Sequence, residues 1–155
     1  MPEPTECEGA AVIVYTIGFA GKTAREFFTR LTEAGVKRVI DVRHNNVSQL
    51  AGFTKKDDLA YFLEQIAGIG YTHRPDLAPT KEILSDYRKK VIDWETFERR
   101  FGDLMVERGV ETLVTPADLD QGCLLCSESE PDRCHRRLLV EYLRERWRGL
   151  AIRHL

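Results

Sequence analysis

Apolar residues along this chain fall into short, largely β-branched runs separated by stretches in which they recur every three or four positions. Val12 to Ile17 is the first run, and Gly18 to Gly21 breaks it. A helix is predicted to open at Thr23-Ala24-Arg25-Glu26, a tetrad with capping-box chemistry. In such a box the Thr hydroxyl accepts the Glu26 amide and the Glu26 carboxylate accepts the Thr23 amide. Phe27, Phe28 and Leu31 supply the apolar face of this helix, and Gly35 ends it. Val36 to Val42 reads as a second strand. Thr54-Lys55-Lys56-Asp57 reads as a second capping box, ahead of Leu59, Phe62, Leu63 and Ile66 at helical spacing. Tyr71 to His73 follows as a short strand, and Thr80 to Lys90 as a helix. A longer helix from Trp94 to Arg108 is capped by Asp93, faces inward through Phe97, Phe101, Leu104 and Met105, and stops at Gly109. Cys123 to Cys126 reads as a buried strand. Pro131 suits a first helical position, Leu138, Leu139, Tyr142 and Leu143 make an inward face, and Ala151 to Leu155 forms a last strand.

Apolar strands alternating with amphipathic helices predict an α/β fold: a single three-layer domain with a mostly parallel sheet of about five strands and helices on both faces. Right-handed crossovers then gather the βα loops at the carboxyl edge of the sheet, where open α/β folds bind ligands. The 155 residues suit one domain over 11–155, with 1–10 as a flexible leader. A net charge of −2 gives no global reason to expect a polyanion partner. The leader MPEPTECEGA carries three Glu and no basic residue, the reverse of a secretory signal, and no apolar run approaches the roughly 20 residues of a membrane span. The expectation is a cytoplasmic protein without membrane contact. In that compartment the four cysteines are expected to be reduced, metal-bound or transiently oxidised. Cys7, in the leader, reads as a bystander.

The carboxyl-edge rule nominates Gly18 to Thr23, Asp41 to Asn46, His73-Arg74 and Cys126 to Arg136. The first, GFAGKT, has two residues between its first Gly and the Gly-Lys, where a phosphate-wrapping loop needs four. It reads as a tight turn into a capped helix or as a simple anion site of backbone amides. In the second, Asp41 and Arg43 share a strand face, and the Arg43 fork suits either an anionic ligand or Asp41 itself. His44, Asn45 and Asn46 add polar density there. His73-Arg74 before Pro75 reads as an ordinary strand exit.

The densest chemistry is CLLCSESEPDRCHR, Cys123 to Arg136, for which three readings stand. Cys126, Cys134 and His135, with Cys123, could ligate zinc or another soft metal. However, Cys123 and Cys126 fall on opposite strand faces, and Cys134 and His135 diverge by about 100° on a helix. Alternatively, Cys126 at the strand end and Cys134 in the first helical turn form a nucleophile or a redox couple, favoured by the helix dipole. Glu128, Glu130 and Asp132 oppose a thiolate there, and Arg133, His135 and Arg136 offset them. In the third reading the cysteines are small core residues.

YTIG-F near the start, DVR after the second strand and LLC-x-E...CHRR near the end resemble the domain-of-unknown-function family 488 from Tyr15 to His154. The most specific part is Cys126, Glu128, Cys134, His135 and Arg136, matching C-x-E...C-H-R, with Asp41-Val42-Arg43 as the second element. The chain departs from commoner members at Phe19, where His is usual, and at His44-Asn45-Asn46, where Pro often follows the Arg; it is similar to the subgroup reading NNVSQLAGF. The resemblance implies a small α/β protein with a polar pocket and no established reaction. The leading functional expectation is an enzyme acting on an anionic small molecule or nucleotide. Gly18, Asp41, Arg43 and Arg136 would form its ligand site, His135 its acid or base, Cys126 or Cys134 its nucleophile, and Glu128 a further catalytic group. These side chains should line one concavity, with Cys126 close to Cys134 and with Cys7 and Cys123 apart from them. The alternative is a non-catalytic metal- or nucleic-acid-binding module presenting Arg144, Arg146 and Arg148. Glu141 and Glu145 interrupt that basic face, so nucleic acid is not the favoured partner.

Overall fold

The computed structural model describes residues 12–44, 52–127 and 133–155. The leader with Cys7, and Asn45, Asn46, Glu128, Glu130, Pro131 and Asp132, lie outside the described residues. The β-branched runs become the strands β1 (Val12–Gly18), β2 (Arg38–Asp41), β3 (Gly70–His73), β4 (Gly122–Cys126) and β5 (Leu150–His154). All neighbouring pairs are parallel, in the order β3-β2-β4-β1-β5. Between them run α1 (Ala24–Ala34), α2 (Lys56–Phe62), α3 (Lys81–Arg88), α4 (Trp94–Arg108), the single turns α5 (Val110–Leu113) and α6 (Pro116–Leu119), and α7 (His135–Arg146).

The sheet divides the interior into two cores, and strand alternation decides which residues enter each. On one face α1, α2 and the turn that continues α2 pack Phe27, Leu31, Leu59 and Leu63 against Ile17, Val39, Cys123 and Leu125. On the other, α4 and α7 pack Phe101, Met105, Leu139 and Leu143 against Val14, Ile40, Leu124 and Cys126. Both faces of the sheet are therefore covered, which is why β4 is buried along its whole length. Gly122 admits β4 to its place: a Cβ there would lie 2.9 Å from Ile40 Cδ1 and 3.0 Å from the Leu119 carbonyl oxygen.

Caps explain several boundaries. Thr23 Oγ1 accepts the Glu26 amide at 3.1 Å and Asp93 Oδ1 accepts the Thr96 amide at 2.8 Å, while Gly35 and Gly109 close α1 and α4 in left-handed conformations. The second expected capping box does not form. Thr54 is instead the buried last residue of a 3₁₀ turn, Gly52–Thr54, its carbonyl accepts Arg43 Nη2 at 2.7 Å, and Lys55 occupies the cap position without a side-chain bond. Ile66 also departs from the expected inward face and is 61% exposed. The helix widens into a π turn over Leu63–Ala67, which shifts the phase of its final residues. The last helix begins at His135 rather than near Pro131, with Cys134 as its N-cap. A complete capping box does occur at Thr115 and Asp118, opening α6 with Pro116 in its first turn. One turn is too short to show periodicity, so Thr115-Pro116-Ala117-Asp118 was its sole sequence signal.

Candidate active site at the end of the fourth strand

The crossovers leaving β1 and β2 carry α1 and α2 to one face of the sheet, whereas the crossover leaving β4 carries α7 to the other. Since β4 lies between β2 and β1, its carboxyl end is flanked on both sides by connections running the opposite way. Such a topological switch opens a crevice. Cys126, the last residue of β4, sits there beside Gly18 of β1. The Gly18–Thr23 turn is fixed to the same edge by the Ala20 amide, which donates to the Ser127 carbonyl at 3.0 Å, and by Lys22 Nζ, which donates to the Gly18 carbonyl at 2.7 Å.

The sulfurs of Cys126 and Cys134 are 2.6 Å apart. Arg136, in the first turn of α7, is 1% exposed and turns its guanidinium onto the pair, with Nη1 2.9 Å from Cys126 Sγ and 3.7 Å from Cys134 Sγ. Burial works against the Arg136 charge, but the neighbouring sulfurs of Cys126 and Cys134 outweigh it and raise the pKa. Burial, reinforced by the hydrogen bond with Cys126, pushes the Cys134 thiol up, so Cys134 is held protonated. Cys123 points into the other core, fully buried, and burial raises its pKa as well. His135 Nε2 donates to the Val42 carbonyl at 2.9 Å, which fixes the tautomer and ties α7 to the end of β2. Enclosure by protein lowers the His135 pKa to about 4, so the ring is neutral at physiological pH.

Asp41 and Arg43 form a separate cluster at the end of β2. Arg43 Nε and Nη2 each meet an Asp41 carboxylate oxygen at 2.8 Å, and the guanidinium lies 5.4 Å from the Phe19 ring. Tyr71 donates its hydroxyl to Asp41 Oδ2 at 2.5 Å, and His73 Nε2 donates to the Arg43 carbonyl at 2.7 Å. His44 Nε2 donates to the Pro79 carbonyl. Thus Cys126, Cys134, His135 and Arg136 come together, Gly18 adjoins them in the strand register, and Asp41 with Arg43 is joined to them through Val42.

A cleft of about 560 Å³ opens over the thiols. Cys126, Cys134 and His135 line it, Tyr87, Trp94 and Phe97 give it an aromatic wall, and Arg88, Lys90 and Arg133 contribute three cations. Among the described residues the one lining carboxylate, Asp93, is engaged at the N-cap of α4. Lys90 holds the turn between α3 and α4 with a left-handed φ of 62°. Tyr87, Arg88, Lys90 and Trp94 were missed because they come from the two helices and the turn that joins them and not from a βα loop. The interleaving of Tyr87, Arg88, Lys89, Lys90 and Trp94 was the available signal. Among the described residues no three His, Cys, Asp or Glu side chains converge as a metal site. On α7, Arg146 stacks 3.5 Å from the Tyr142 ring centroid and lies 3.9 Å from Glu111, so part of that basic face is internally engaged. No helix among the described residues is long and apolar enough to cross a membrane.

The sequence profile of DUF488, a domain of unknown function, matches residues 23–143, and the chain belongs to this family. No curated protein and no solved structure matches the chain.

Proposed function

We propose that this DUF488 member is an enzyme acting on an anionic small molecule or nucleotide, with Cys126 as its nucleophile. The observation that carries the reading is the pairing of Cys126 with a buried guanidinium at 2.9 Å on the floor of a cleft with three lining cations. A permanently charged donor holds a thiolate by a charge-assisted hydrogen bond, and Arg cannot surrender its proton to the sulfur. Arg88, Lys90 and Arg133 would draw in and orient the anionic group, while Tyr87 and Trp94 would cover an apolar or planar portion of the ligand. His135 lines the same cleft as a neutral imidazole and is the candidate for proton movement. Arg43, clasped by Asp41, would act at one remove by fixing the end of β2, from which the Val42 carbonyl reaches His135.

Isothermal titration against phosphates, carboxylates and nucleotides tests the reading. Wild-type protein should bind at least one of them at about micromolar Kd, and a doubly neutralised Arg88→Gln, Lys90→Gln variant should lose roughly tenfold or more. Binding no tighter than about millimolar by every anion in the panel would remove the substrate class. The other reading, a non-catalytic metal-binding module, is favoured by one contact, the two adjoining sulfurs, which could share a soft ion. Metal analysis of reduced protein under native mass spectrometry separates the two, because a retained stoichiometric ion would occupy the nucleophile.

A further inference from the structure

We propose that Cys126 and Cys134 form a two-electron catalytic couple that reduces an anionic organic hydroperoxide, Cys126 attacking the peroxide and Cys134 resolving the product as a disulfide. The inference rests on the assignment of Cys126 as nucleophile and adds the reaction and the role of the second thiol. Its basis is the asymmetry of the pair. Arg136 Nη1 is 2.9 Å from Cys126 and 3.7 Å from Cys134, so the charge that favours a thiolate is directed at the strand-end sulfur. The helix-cap sulfur lies 2.6 Å away, where it can share a proton with its neighbour and close on it.

The position of Cys134 suits resolution. Its backbone is extended, with φ −137° and ψ 141°, and the helix starts only at His135. The side chain of an N-cap can therefore swing toward Cys126 while the hydrogen bonds of α7 stay in place. Cys123 cannot compete, since it belongs to the core on the other side of the sheet. Access limits the reactant. Cys126 is 1% and Cys134 2% exposed, although both line the cleft. The electrophilic atom must therefore be terminal and carry a small group, as the distal oxygen of a hydroperoxide does. The cations Arg88, Lys90 and Arg133 call for a carboxylate or phosphate on the remainder of the molecule.

The steps balance. The Cys126 thiolate attacks the distal oxygen of R–O–O–H; an S–O bond forms, the O–O bond breaks, and RO⁻ leaves and takes up a proton as ROH. Cys126 is then a sulfenic acid. The Cys134 sulfur attacks the Cys126 sulfur; an S–S bond forms, the S–O bond breaks, and the leaving hydroxide combines with the Cys134 proton as water. Two thiols and one hydroperoxide have become a disulfide, an alcohol and water, and an external dithiol returns the pair to its starting state.

The full chain, reduced and freed of reductant, is treated with one equivalent of hydrogen peroxide or of a carboxylate-bearing alkyl hydroperoxide, then alkylated under denaturing conditions and mapped by mass spectrometry. The expected product is the Cys126–Cys134 disulfide, with Cys7 and Cys123 alkylated and with full reversal by dithiothreitol. Cys134→Ser should accumulate a Cys126 sulfenic acid that dimedone traps, and Cys126→Ser should leave Cys134 unoxidised. Thermal melts establish that the variants fold, and Cys134→Ala and Cys126→Ala replace any serine variant that does not. The carboxylate-bearing hydroperoxide should outpace a neutral one of equal length by about tenfold, an advantage lost in Arg88→Gln, Lys90→Gln protein. Oxidation at Cys123, a sulfenic acid on Cys134 in place of Cys126, or no disulfide would overturn the couple. If the disulfide is absent while anions still bind the cleft, the redox chemistry fails and the anion site stands. If it forms with no preference for an anionic peroxide, the couple stands and the anion site fails.

Discussion

Two strand ends on this sheet each bury an arginine, and among the described residues the two guanidiniums meet different kinds of partner. At the end of β2 the Arg43 guanidinium is closed by a bidentate Asp41 carboxylate and the Thr54 carbonyl. At the end of β4 Arg136 faces the sulfurs of Cys126 and Cys134. Two parallel hydrogen bonds to the carboxylate and a third to a backbone carbonyl make the first arginine a fixed strut. A thiol can be protonated, deprotonated or oxidised, so the second arginine sits beside partners whose charge and bonding can change. Under the proposed function the same residue type supports architecture in one place and chemistry in the other, and the partner decides which.

The largest expected effect breaks the first half of this comparison. Asp41→Ala strips a buried guanidinium of its counter-charge and should destabilise the fold by about 3 to 5 kcal/mol in urea titration. Cys126→Ser should cost much less, about 1 kcal/mol, while abolishing thiol reactivity at the site. Equal losses of stability in the two variants would mean that Cys126 is merely a core residue.

The second prediction concerns pH. The His135 pKa is lowered to about 4 by enclosure, below the roughly 6.5 of an unfolded chain. Between those values the unfolded state binds the extra proton, so this stabilising contribution is complete above pH ~6.5 and fades as pH falls toward 4. It should be worth about 3 kcal/mol. Comparing wild type with His135→Gln over that interval isolates it from the carboxylates, and parallel stability curves for the two would refute the burial of a neutral ring.

The smallest effect tests the cleft wall. Thr80 Oγ1 accepts the Ile83 amide at 3.1 Å and so caps α3, which carries Tyr87 and Arg88 to the cleft. Thr80→Ala should cost about 1 kcal/mol and weaken anion binding more than it alters thiol reactivity. A variant that binds anions as tightly as wild type would separate α3 from the ligand site.

The sheet and its long helices were legible because strands buried on both faces read as apolar runs, and helices on both faces repeat at 3.6 residues. Asp93 and Gly109 mark α4 to the residue. The order of the strands was not legible, since parallel neighbours are chosen by tertiary packing and β4 enters between β2 and β1 from far along the chain. For the same reason sequence pointed to Cys126, Cys134, His135 and Arg136 as a cluster but not to their cleft wall, which comes from α3, α4 and the turn joining them. The Thr54 box failed because a buried arginine took the carbonyl of that turn, a contact 11 residues away that no local motif encodes.

The central claim is that Cys126 is the reactive sulfur because Arg136 holds it. The most direct measurement is the rate at which iodoacetamide modifies each of Cys123, Cys126 and Cys134 in native, reduced protein, resolved by peptide mapping and repeated with Arg136→Met. Cys126 should be modified first at neutral pH, and the substitution should slow it by about tenfold while leaving Cys123 unreactive. Modification of Cys123 or Cys134 ahead of Cys126, or a Cys126 rate indifferent to Arg136, would contradict the claim.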